Sequence, residues 1–160
     1  MRPRLTALFL LAGVVCAHAQ HGTSATQTLN LTVKPIAVFA VSGNPQPLII
    51  TAADAGGGIQ SAEDHTTRFT MTTNSTGQKI VVSINAPMPA GTHLMLQLGH
   101  GTGISSGAVD LSSALTPVDA VTGLRPGLST DQEIMYTFLA NASAGPVAPQ
   151  SRTITYTVTD

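Results

Sequence analysis

Apolar and polar residues alternate along much of this chain. In TLNLTV, Leu29, Leu31 and Val33 fall on one side and Thr28, Asn30 and Thr32 on the other, which is the period of a half-buried strand. Pro35 interrupts the ladder. IAVFAV then predicts a more fully buried strand ending at the turn SGNPQP, and PLIIT predicts a short one. AADAGGGIQSAEDH reads as loop, because adjacent glycines make order costly and its side chains offer little to bury. TTRFTMTT sets Phe69 and Met71 against Arg68 and Thr70, NSTG reads as a turn, and KIVVSIN brings Ile80, Val82 and Ile84 to one face. The three together predict a β-hairpin.

Further along, APMPAG turns the chain and THLMLQL places Leu94, Leu96 and Leu98 on a common side. GHGTGISSG reads as a flexible crossing and AVDLSS as a short strand, while the stretch up to Thr130 carries no clear period. EIMYTFLA then aligns Ile134, Tyr136 and Phe138. NASAGPVAPQ reads as loop, and SRTITYTVTD alternates Ile154, Tyr156 and Val158 with threonines. Eight or nine strands follow from this pattern. No segment after the first twenty residues keeps the three-and-four spacing of an amphipathic helix, which excludes a parallel α/β fold with crossover helices. The expected fold is all-β: a single immunoglobulin-like or Greek-key sandwich of mostly antiparallel strands, with a barrel as the second architecture.

The first twenty residues follow a different rule. MRPR supplies a basic start, LTALFLLAGVV an apolar core, and Ala17, His18 and Ala19 a small-x-small end, the pattern of a secretory signal peptide. The apolar stretch is shorter than the about 20 residues that cross a bilayer. The expected organisation is therefore a signal peptide at 1–19, a flexible segment at 20–27 and a sandwich domain at 28–160. Cys16 stands where a lipid anchor would attach, but Val15 before it is larger than such sites take, so an anchor is not expected. Cleavage after Ala19 removes the only cysteine, leaving packing and hydrogen bonds to stabilise the mature domain in an oxidising compartment.

Charge narrows the choice of partner. From Gln20 onward, Lys34, Arg68, Lys79, Arg125 and Arg152 stand against eight acidic residues, with no basic stripe to neutralise a phosphate backbone. Nucleic acid is not an expected partner. Only 9% of the chain is charged, and threonine takes the outward positions of many strands. This suits extended backbone, and equally a protein that spends its life in an assembly.

GPVAPQSRTITYTVTD at the end, TQTLNLTVKPIAVFAV at the start and TTNSTGQKIVVSIN in the centre resemble, in their arrangement, the small exported bacterial β-sandwich domains of the pilin-like and WxL-like surface-protein groups. The resemblance implies a surface or extracellular structural role, with subunits joined by strand donation. The chain has no tryptophan, so it lacks the Trp-x-Leu motif, and its mature part has no disulfide. No functional residue carries over by position. The physical basis for donation is separate: a sandwich can leave a sheet edge open, and an extended segment of another chain can complete it. Residues 20–33 and 153–160 are the candidate segments.

Candidate chemistry is sparse. His21, His65, His93 and His100 form no HExxH and no close pair, and a metal site from them with Asp64 or Asp110 would need distant loops to gather. Glu63 and Asp64 are adjacent, and Asp131 with Glu133 has the spacing of two calcium ligands without the rest of a calcium loop. GISSG is not a nucleophile elbow, and AGGGIQ and GHGTGISSG match no phosphate-binding fingerprint. Asn30, Asn74 and Asn141 fit the glycosylation pattern, which is usually silent on a bacterial route. No catalytic, cofactor or metal residue is therefore assigned, and an enzyme is not expected. The leading expectation is a secreted, periplasmic or cell-surface structural protein, a fibre or matrix subunit that exchanges strands. The alternatives are a loop-mediated binding module for a glycan or protein, with residues 100–107 as one contact loop, and a secreted enzyme that joins His65, His93 or His100 to an acidic partner.

Overall fold

The computed structural model describes residues 25–52, 58 and 61–160. The expected signal peptide and Cys16 lie outside them, as does His21. The chain divides into an N-terminal unit, Met1–Thr32, and a second unit, Val33–Asp160. Among the described residues, the second unit holds nine strands: β1 (Ala37–Val41), β2 (Ala62–Thr73), β3 (Lys79–Ile84), β4 (Thr92–Leu98), β5 (Ile104–Ser105), β6 (Ala108–Asp110), β7 (Val118–Thr122), β8 (Gly127–Ala140) and β9 (Ile154–Thr159). They form one sheet in the order β1-β2-β8-β4-β6 and another in the order β5-β7-β3-β9, with every pairing antiparallel. This is a β-sandwich. Among the described residues no helix is long and apolar enough to cross a membrane.

The alternation read from the sequence sets the inner faces. Phe69 and Met71 of β2, Ile80, Val82 and Ile84 of β3, Leu94, Leu96 and Leu98 of β4, and Ile134 and Tyr136 of β8 make the buried core. Two tyrosine hydroxyls, Tyr136 on β8 and Tyr156 on β9, meet at 2.5 Å and tie the sheets together across it. Burial pushes both phenols above their ordinary pKa, so both stay neutral.

Several expectations are corrected. The β2–β3 connection is not a hairpin: β2 pairs with β1 and β8, whereas β3 pairs with β7 and β9 in the other sheet. The NSTG turn is a corner between sheets, and the two apolar faces meet across the core instead of lying side by side. Residues 28–33 take no place in either sheet, and PLIIT forms no strand. Strand β2 begins at Ala62, inside the stretch read as loop, because its first residues pair with the far end of β8. GHGTGISSG, expected to be flexible, is fastened: Ser105 Oγ donates to the Leu98 carbonyl at 2.7 Å and Thr102 Oγ1 to the Arg125 carbonyl at 2.9 Å. The unreadable stretch holds β7, too short for its period to show.

Candidate functional site

Strands β1 and β9 end their sheets on the same side of the sandwich, where Phe39 stacks on Tyr156 with ring centroids 5.6 Å apart. In β1, Ala37, Phe39 and Val41 pair with the inward residues Thr73, Met71 and Phe69, so they face the core as well. Their cover is incomplete. Phe69 and Met71 are buried, yet Phe39 is half-buried and Val41 is 44% exposed. The same holds in β9, whose inner residues Ile154, Tyr156 and Val158 are only partly buried although their partners on β3 are fully so. Among the described residues, no strand pairs with the outer edge of β1 or of β9. The result is a seam with two free edges, bridged by the Phe39–Tyr156 stack and lined by partly exposed apolar residues.

The opposite side of the sandwich is finished differently. Leu111, directly after the end strand β6, is fully buried, and its N–H donates to the Leu94 carbonyl at 2.8 Å. A loop residue closes the core there.

The residues upstream of β1 carry a matching pattern. Leu29, Leu31 and Val33 are 74%, 82% and 82% exposed, in a stretch with no regular structure. Large apolar side chains presented at every second position are the recognition pattern of a strand that adds to a sheet edge. At the base of the stretch, Asn74 Oδ1 accepts the Ile36 N–H at 2.7 Å and Asn74 Nδ2 donates to the Lys34 carbonyl at 2.9 Å. The Asn74 N–H also donates to the Ile36 carbonyl at 3.1 Å.

The titratable residues singled out in the sequence occupy separate places. His65 lies on the outer face of the five-stranded sheet, with Nδ1 2.8 Å from Glu133 Oε1 and Nε2 3.3 Å from Glu63 Oε2. The hydrogen bonds to Glu133 and then Glu63 raise its pKa above the ordinary value. Each carboxylate meets a different ring nitrogen, so the three groups do not converge on one cation. A shallow cleft of about 170 Å³ opens beside His65 and Glu133. His93 pairs instead with Asp110 at 3.5 Å. Burial raises the Asp110 carboxyl, but hydrogen bonds from Ser112, with help from His93, outweigh it and hold it low. His100 binds the Gly101 carbonyl at 2.9 Å.

The remaining candidates are likewise dispersed. Asp64 points inward, away from His65, and accepts hydrogen bonds from the hydroxyls of Thr66 and Thr67 and the N–H groups of Gln46 and Thr66. Asp131 turns to Arg68 at 3.9 Å, whereas Glu133 turns to His65, so these two do not share an ion. Among the described residues no group of three His, Cys, Asp or Glu side chains is placed to hold a metal ion. Asn141 caps the short 3-10 turn Ala142–Ala144 through Ser143, and Asn74 is engaged at the base of the N-terminal stretch.

Fold and seam together define a β-sandwich with two unpaired edge strands on one side. The chain matches no family model, no curated protein and no solved structure.

Proposed function

We propose that this protein is an exported structural subunit, at the cell surface or in a surrounding matrix, that joins further copies by strand exchange. One observation carries the reading: an unpaired segment with Leu29, Leu31 and Val33 on one face occurs in the same chain as a sandwich that lacks cover along β1 and β9. Residues 28–33 of one copy would add to the seam of another. Backbone hydrogen bonds to a free edge would give affinity, and the three apolar side chains would enter between the sheets to cover Phe39, Tyr156 and their neighbours. The threonines and Asn30 would then face water.

The test is native mass by light scattering on the purified mature protein, over a range of concentrations and after mild denaturation and refolding. Species of many subunits are expected, collapsing to monomer when residues 20–33 are deleted. A monomer at every concentration, unaffected by that deletion, overturns the reading.

A further inference from the structure

Building on the strand-exchange reading, we propose that Asn74 is a positioning residue that directs the N-terminal segment to a second copy by preventing its return to its own seam. A tethered segment ordinarily wins against a free one, because a short connection gives it an effective concentration in the millimolar range. A subunit that must assemble needs something that disfavours the internal solution.

The sequence at the base of the segment would permit that internal solution. Lys34-Pro35-Ile36-Ala37 places proline at the second position of a four-residue turn, where its fixed φ suits a reversal. Such a turn would use the Lys34 carbonyl as its acceptor and take Ile36 out of line with β1. It would lay residues 28–33 back along the free edge of β1.

Asn74 opposes each of these steps. Its side-chain N–H₂ donates to the Lys34 carbonyl at 2.9 Å and its Oδ1 accepts the Ile36 N–H at 2.7 Å, so both residues are held against the end of β2. Its backbone N–H, bound to the Ile36 carbonyl at 3.1 Å, extends the β1–β2 ladder one residue beyond the pair Ala37 and Thr73. Pro35 between the two held residues has no N–H to redirect, and it keeps Lys34 away from helical backbone. With this clasp closed, a return to the seam would have to reverse within Leu31–Val33, the residues that must stay extended to insert.

Two variants of the full mature chain test this by light scattering and by amide hydrogen exchange. Asn74→Ala removes both side-chain bonds and is expected to lower the multimer fraction about tenfold, yielding monomers in which residues 28–33 are protected from exchange. Asn74→Asp keeps the acceptor for Ile36, loses the donor to Lys34, and should fall between Asn74→Ala and the parent; circular dichroism confirms that each variant keeps its sheets. Assembly of Asn74→Ala equal to the parent, or monomers whose residues 28–33 exchange freely, overturns the inference. If deletion of 20–33 abolishes assembly while Asn74→Ala assembles normally, only the role of Asn74 fails. If that deletion changes nothing, strand exchange fails and the role of Asn74 with it.

Discussion

Asp64 and His65 are neighbours in sequence on opposite faces of β2, and they respond to pH in opposite directions because one is an acid held as its anion and the other a base held as its cation. Asp64 is buried, which alone would raise its pKa, but hydrogen bonds from Thr66, Gln46 and Thr67 outweigh burial and hold the carboxyl below its ordinary value of 3.8. A depressed acid stabilises the fold above its unfolded pKa and loses that contribution as pH falls through the folded value. Asp64→Asn should therefore cost about 1–3 kcal/mol at neutral pH and flatten the fall in stability below about pH 4, both read from urea midpoints. A variant as stable as the parent would show that the hydroxyls of Thr66 and Thr67 find other partners. His65 is the reverse case: raised above 6.5 by Glu133 and Glu63, it adds its contribution below that pH and loses it as pH rises through the folded pKa. Proton NMR should place the His65 midpoint above 6.5, and Glu133→Gln should bring it down. An unchanged midpoint in that variant would remove Glu133 as the cause.

At the scale of elements, alternation identifies strands and their inward residues but not their partners. Ile80, Val82 and Ile84 were legible as one face, as were Leu94, Leu96 and Leu98, because period two is a property of a single strand. Whether β2 and β3 lie side by side or face to face is not such a property. A tight turn between two alternating strands fits both a hairpin and a corner, and here the corner wins because β8 occupies the place beside β2. The same limit explains Thr28–Val33. Its alternation predicts a strand, while no pairing that would make it one is present among the described residues. Strand β1 read as buried from IAVFAV, yet as an end strand it leaves Val38 and Val41 largely uncovered. The polar clusters were invisible for another reason: His65 and Glu133 stand 68 positions apart and meet only because β2 pairs with β8. In the sequence Asn74 shows only as part of the NSTG turn and of a glycosylation pattern, because its hold on Lys34 and Ile36 depends on β1 pairing with β2.

For the whole molecule, the asymmetry between the two sides of the sandwich matters most. Leu111 closes the core beyond β6, whereas among the described residues no strand adds beyond β1 or β9, and inward-facing residues of both strands remain partly exposed. An open seam should bind what fills it, and binding to the folded state raises stability by mass action. A peptide of residues 25–34, added to protein lacking residues 20–33, should raise the melting temperature with peptide concentration. At about 100 times the dissociation constant, the gain of about 2.7 kcal/mol corresponds to a shift of about 5–10 °C for a domain of this size. Leu31→Asp in the peptide would place a carboxylate against Phe39 and Tyr156, and its desolvation should abolish the shift. Equal shifts from the parent and Leu31→Asp peptides would mean that the seam reads backbone alone. No shift from either would mean that the half-buried faces of β1 and β9 are the finished edge of a monomer.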